Sequence, residues 1–294
     1  MNSARTGALF RGSVDLSTIF IKLSKWITIS HNLNLRKNTI LLHHPLVNNQ
    51  IGKPFVELLS VDSTNNYAMQ IVHQGNAKHG TVYFAYSQFA GKGQRGKQWQ
   101  THPGENITMS VVLDTSSLQV SGLFTLSIAI ALGVHDFFNS FVSENVFIKW
   151  PNDLYCGDRK AGGILIENII RGKDWQNAIA GIGMNINQTD FGPSVINAVS
   201  LKQITGKVYD PVQLAKELCE FLEKRFRQLL NERSENLLKE YNSSLYKRGE
   251  LVKFKKDNIV FEGKVKAVNF NGQLVIDAGV EQIYDIGEIE WLIN

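Results

Sequence analysis

The texture of the chain changes at Lys247. From Pro54 to Tyr246 segments with strand and helix character alternate. Residues 247–294 carry only short β-prone runs, Leu251–Phe254, Ile259–Val268, Gln273–Asp277, Gln282–Asp285 and Ile289–Ile293, parted by Asp-Asn and Asn-Gly turns. A chain divided in this way is not a single repeating architecture. It predicts an α+β fold: a mixed domain over 51–246, a sheet flanked by helices, followed by a small β-barrel over 247–294.

Within the first domain, Val56–Val61 is a short apolar run, and Asp62-Ser63-Thr64-Asn65 then offers capping side chains to a helix over Asn66–Gln74. Thr81–Ser87 and Ile107–Leu113 are strands on either side of a glycine-rich loop. Leu118–Phe141 reads as a long buried helix. Its most apolar part, Leu123–Val134, falls short of the roughly 20 residues a membrane span requires, and no membrane association is expected. Asn145–Trp150 is a strand that Pro151 stops. Gly162–Ile170 and Asn177–Ile186 read as paired strands joined at Arg171-Gly172-Lys173-Asp174. Pro211–Tyr246 is helical, with Leu214, Leu218, Phe221, Leu222, Leu229 and Leu230 on one face.

Bulk properties exclude more than they select. Lys and Arg outnumber Asp and Glu by 31 to 27, which suits an anionic ligand but not a dedicated nucleic-acid binder. The 2 cysteines, Cys156 and Cys219, build no disulfide framework and no zinc spacing, so a reducing, cytoplasmic setting is expected. Residues 1–50 form a basic extension: Arg5, Arg11, Lys22, Lys25, Arg36 and Lys37 face a single acid, Asp15, before Ile51. It reads as a disordered tail or a targeting segment, and an organellar destination follows if it is a transit peptide.

Three motifs carry the chemistry. In Gly91-Lys-Gly-Gln-Arg-Gly-Lys-Gln-Trp99, the glycines spell a dinucleotide fingerprint, yet His102-Pro103-Gly104 follows where a helix should open. Gln98 stands where a phosphate loop needs Ser or Thr. Val146-Phe-Ile-Lys149 and Asp190-Phe-Gly192 mimic kinase signatures in the wrong order, with no His-Arg-Asp loop between them. What remains is a flexible loop holding three cations, Lys92, Arg95 and Lys97, which together call for an anion. The second motif is Lys149-Trp-Pro-Asn-Asp-Leu-Tyr155 with Asp158-Arg-Lys-Ala-Gly-Gly-Ile-Leu-Ile-Glu167. Glycines at a strand start there let a ligand or backbone approach closely beside Lys160. The third is Gly181-Ile-Gly-Met-Asn-Ile-Asn187, equally readable as a bulge and turn.

Taken in order over residues 51–294, these motifs and the small C-terminal barrel resemble the biotin protein ligases, the biotin–[acetyl-CoA-carboxylase] ligases. The resemblance implies a class II aminoacyl-tRNA-synthetase-like catalytic domain and an SH3-like C-terminal barrel. It implies an enzyme that activates biotin with ATP to biotinyl-5'-AMP and transfers biotin to one lysine of a biotin carboxyl carrier protein. By the same resemblance Lys160 and Arg95 are catalytic. Ser63, Thr64, Asn65, Gln88, Lys92, Gly93, Gln94, Lys160 and Gly163 surround biotin. Gly91, Arg95, Trp99, Asn152 and Asn185 hold the nucleotide, and Asp153 meets a magnesium ion. Many members read Gly-Arg-Gly-Arg where this chain has Gly91-Lys-Gly-Gln94, so Lys92 and Arg95 are expected to share the retention of the adenylate. Some members carry an operator-binding winged helix. Residues 1–50 show no convincing helix pair for one, and no specific DNA binding is expected, whereas a homodimer is open. Two rivals stand beside this reading. One is a lipoate ligase or octanoyltransferase of related fold, with Cys156 as the latter's nucleophile; the other is a non-catalytic biotin-binding sensor.

Overall fold

The computed structural model describes residues 50–142, 145–192 and 197–292. The reading of residues 1–49 therefore lies outside the described residues. The described residues all fall in one compact unit.

Alternation of side chains decides the main sheet. In β3 (Ile107–Asp114), Ile107, Met109, Val111 and Leu113 enter the principal core, while Thr108, Ser110 and Val112 point the other way. The same split divides β2 (Val82–Ala85) and β7 (Asp174–Met184). With β1 (Phe55–Leu58), β4 (Val146–Lys149), β5 (Asp153–Cys156) and β6 (Arg159–Arg171) they form a seven-stranded sheet in the order β1-β2-β3-β7-β6-β5-β4. β1 and β2 pair parallel and every other neighbour antiparallel, so the sheet is mixed.

One face of the sheet is covered by α1 (Thr64–His73), whose Ala68 packs with Tyr83, Val112 and Ile179. The other is covered by α2 (Leu123–Asn139) and, behind the short α3 (Leu201–Thr205), by α4 (Pro211–Asn231) and α5 (Ser234–Ser243). At Gly133 a Cβ would lie 3.0 Å from Leu222 Cδ2, so the glycine lets α2 and α4 approach closely. The apolar stretch here is longer than the sequence reading allowed. Val120–Asn139 is 20 residues with a hydropathy of 1.6, enough in length and composition to cross a membrane. In the fold it is instead a core helix, its residues from Thr125 to Phe138 mostly buried between sheet and α4.

Two further expectations are corrected. The helix read as continuous over Pro211–Tyr246 breaks at Glu232, whose backbone is extended. A straight helix of that span would be about 54 Å long. Seven strands span only about 29 Å, so the chain turns back to keep Leu237, Leu238 and Tyr241 on the core. Asp153–Cys156 had no strand assigned, yet it forms the return strand of a hairpin with β4.

The C-terminal residues form β8 (Leu251–Lys256), β9 (Ile259–Val268), β10 (Leu274–Asp277), β11 (Glu281–Tyr284) and β12 (Glu290–Leu292), ordered β11-β10-β9-β8-β12. This is a meander whose last strand returns to its first, as the barrel reading requires. Asp257 and Asn258, with φ of 48° and 69°, form the tight turn between β8 and β9. The sheet is fastened to the rest of the chain. Trp150 Nε1 donates to Gly272 O at 2.8 Å, and Asn242 exchanges two hydrogen bonds with the Val268 backbone.

Candidate functional site

On the α1 side of the sheet, polar residues replace the apolar ones at one end of the central strands. Ser110 Oγ lies 2.7 Å from Thr64 Oγ1 and 2.6 Å from Asn65 Oδ1. The Thr64 N–H donates to Gln88 Oε1 at 2.7 Å, which ties the start of α1 to the loop after β2. Asn65 Nδ2 donates to Glu167 Oε2 at 2.7 Å and to Leu165 O at 3.3 Å. Ser63, at the N-cap, makes no side-chain capping bond, although it is almost fully buried.

Glycines pave the strands beneath these side chains. A Cβ on Gly181 would collide with the Asn65 amide, and one on Gly183 with the Trp99 indole. Gly162 admits the carbonyl of Gly183, while Gly163 leaves room for Asp153 Oδ1 and Lys160 Nζ, 3.3 and 3.5 Å from where its Cβ would stand.

The glycine-rich loop is a small antiparallel hairpin. Trp99 N donates to Gly91 O at 2.9 Å, Gly93 N to Lys97 O at 2.7 Å, and Lys92 bridges Gln98. A tight turn over Gln94–Gly96 forms its tip, where Arg95 adopts a left-handed φ of 55°. Two contacts hold the hairpin over the sheet: Lys92 Nζ to Glu167 Oε1 at 3.3 Å, and Arg95 Nη1 to Gly287 O at 3.0 Å. The Trp99 indole lies close over Gly183 with Lys160 Nζ 5.7 Å from its ring, and its Nε1 is buried without a hydrogen-bond partner among the described residues.

Lys160 forms an ion pair with Asp153 Oδ1 at 2.7 Å. Lys149 lies deeper, against the rings of Tyr155 and Trp291. Burial pushes its ammonium below the usual lysine range; Asp153 opposes this, and Lys160 and Lys97 reinforce it. Burial pushes the Tyr155 hydroxyl up to about 12.

These groups converge on a cleft of about 670 Å³, within the range of small-molecule sites. Of the residues expected at a site, Ser63, Thr64, Asn65, Gln88, Lys92, Gly93, Gln94, Arg95, Trp99, Asn152, Asp153, Lys160 and Gly163 line it. Gly91 and Asn185 do not. Gly91 sits at the hairpin base, where a Cβ would strike the Trp99 carbonyl. Asn185 is buried, its amide donated to the carbonyls of Lys160 and Val199 at 3.2 Å each, so it clamps the backbone that carries Lys160.

Sequence reasoning missed several members. Thr108 had a local signal, a hydroxyl in an otherwise apolar strand. Lys149 had another, a charge ending an apolar run. The wall formed by Lys255, Asp257, Asn258 and Ile286–Trp291 had none, because only folding brings the C-terminal sheet to the cleft.

Mixed sheet, glycine-paved floor, cationic hairpin and C-terminal meander define the biotin and lipoate protein ligase class of fold. Residues 58–185 match the family model for "Biotin/lipoate A/B protein ligase family". Within that family the chain is similar to the biotin protein ligases. It is 29% identical over 230 residues to the bifunctional ligase/repressor BirA of Bacillus spizizenii, covering 76% of this chain and 70% of that one. It is 32% identical over 160 residues to the biotin–[acetyl-CoA-carboxylase] ligase of Paracoccus denitrificans, covering 52% and 65%. Among solved structures, the biotin protein ligase from Aquifex aeolicus in complex with biotin and ATP superposes with a TM-score of 0.69 at 24% identity. That superposition covers 82% of this chain and 99% of the other.

Proposed function

We propose that this chain activates biotin with ATP and transfers it to a lysine of a biotin carboxyl carrier protein. The observation that carries the reading is Lys160 in the cleft lining, beside Asp153, Gly163 and the face of Trp99. In the first step a biotin carboxylate oxygen attacks the α-phosphorus of ATP, and pyrophosphate leaves. In the second, the carrier lysine amine attacks the biotinyl carbonyl, AMP leaves, and the amine gives up a proton. Both reactants of the first step are anions, so charge neutralisation and alignment supply the catalysis.

Lys160 is suited to bridge carboxylate and α-phosphate, exchanging Asp153 for the ligands. Ser63, Thr64, Asn65 and Gln88 offer hydroxyl and amide partners to the ureido ring of biotin, and Trp99 offers its face to adenine. Lys97, Lys149 and Lys255 line the cleft and make no ion pair among the described residues, which suits them to the β- and γ-phosphates. Magnesium enters the same reading. Among the described residues no group of three or more His, Cys, Asp and Glu side chains is placed to hold a metal. The oxygens of Asp153 and Asn152 nonetheless fit an ion bound mainly through substrate phosphates; it would neutralise phosphate charge.

The octanoyltransferase rival needs a reactive thiolate. Cys156 does not line the cleft, and burial pushes its thiol upward. We further propose the carrier domain of an acetyl-CoA carboxylase as acceptor, no operator DNA binding, a cytoplasmic location and a homodimer. A biotin-operon gel shift and a native mass check the second and fourth of these. The central test combines labelled biotin, ATP and a carrier domain. ATP-dependent label on the carrier is expected; biotin binding without transfer would favour the sensor.

A further inference from the structure

We infer that Glu167 is a positioning residue that couples the polar biotin-side cluster to closure of the glycine-rich hairpin. The inference rests on the proposed biotin site and goes beyond it, since Glu167 does not line the cleft and has no substrate contact assigned.

The two carboxylate oxygens of Glu167 serve different structures. Oε2 accepts the Asn65 amide N–H at 2.7 Å, and Oε1 accepts the Lys92 ammonium at 3.3 Å. The Asn65 end cannot drift. Asn65 is 3% exposed, its Oδ1 is held by Ser110, and its amide lies against Gly181, where even a Cβ would collide. A buried amide thus fixes where Glu167 points. The Lys92 end lies in the ascending arm of the hairpin, opposite Gln98, one residue before Trp99. Asp62 adds to the negative field felt by Lys92, but its carboxylate is occupied by Asn66 at 2.5 Å, so the hydrogen-bonded partner is Glu167. Any ligand that shifts Asn65 changes the anchor of the hairpin, and release of the hairpin frees the carboxylate beside Asn65.

Two substitutions separate the halves of this coupling. Glu167→Gln keeps an acceptor for Asn65 and loses the charge facing Lys92; Glu167→Ala loses both. Trypsin cleavage after Lys92, Arg95 or Lys97 reports hairpin opening without requiring activity, and the KM for biotin reports the Asn65 side. For Glu167→Gln, cleavage and biotinyl-adenylate release should rise about two- to fivefold, the scale of a part-exposed ion pair, while the biotin KM stays within about twofold. For Glu167→Ala the biotin KM should also rise, by about tenfold, because the buried Asn65 amide loses the nearer of its two acceptors and keeps only Leu165 O at 3.3 Å. Equal cleavage in parent and Glu167→Gln overturns the inference, as does a biotin KM shifted equally by both substitutions. A parent that makes no biotinyl-adenylate overturns the proposed function, and the inference with it.

Discussion

Lys160 is held in place by its backbone as well as by its ion pair. Its N–H donates to Asn197 O at 2.6 Å, and its carbonyl accepts from Val199 N and from Asn185 Nδ2. An ammonium so fixed acts on developing charge without reorganising. Lys160→Ala should therefore lower biotin-dependent pyrophosphate release by about 10²- to 10³-fold; near-parental release would remove Lys160 from the reaction. Gly183 makes a different claim. A methyl there would occupy the space of the Trp99 indole, so Gly183→Ala should red-shift tryptophan emission. It should also raise the ATP KM about tenfold, the scale of one lost stacking contact of about 1–3 kcal/mol, with a smaller effect on biotin. Thirteen of the 15 expected site residues line the cleft. They were legible because backbone-approach glycines and clustered cations must sit in particular types of position. Asn185 lies outside the cleft lining, its amide spent on two buried carbonyls, and in sequence such an asparagine looks like one facing a ligand.

Elements were legible to the extent that their periodicity was local. The strands Thr81–Ser87 and Ile107–Leu113 were found because one face of each is apolar. The break at Glu232 was not, since the need to turn comes from the width of the sheet. The hairpin over the cleft shows the same division. Its glycines and cations are local features, but its tether is Gly287, 192 residues from Arg95 in sequence. Gly287 has a φ of 89°, and a Cβ there would strike the Arg95 guanidinium. Gly287→Ala should cost about 1 kcal/mol or more of stability from the left-handed backbone alone, read as a lower Tm. It should also raise the ATP KM by freeing the hairpin from the C-terminal sheet. Unchanged Tm and KM would mean that the contact does not matter.

At the scale of the molecule, a buried histidine ties the sheet to α4. His79 Nδ1 accepts the Asp114 N–H at 3.0 Å, and its ring lies 5.0 Å from that of Phe226. Burial holds its pKa below 6.5, with Arg227 acting in the same direction and Glu223 and Asp114 opposing. The unfolded chain takes up this proton near pH 6.5 and the folded chain resists it. The stability is thus complete above about pH 6.5 and declines as pH falls through the lower folded value. His79→Asn, which keeps an acceptor for Asp114, should lose less Tm between pH 7.5 and 5 than the parent; an equal loss would exclude His79 as a source of acid sensitivity.

The sequence by itself determined most of the order of strands and helices, β5 and the break at Glu232 excepted, together with the change to an all-β C-terminal part at Lys247 and the ligand-site chemistry of the three motifs. Each is set by local spacing, by turn residues or by residue types with few other uses. Tertiary structure alone decided that the long helix breaks at Glu232, that Gly287 tethers the hairpin through Arg95, and that the C-terminal sheet closes the cleft. Those outcomes depend on which surface each segment buries against, and burial is a property of the assembled chain.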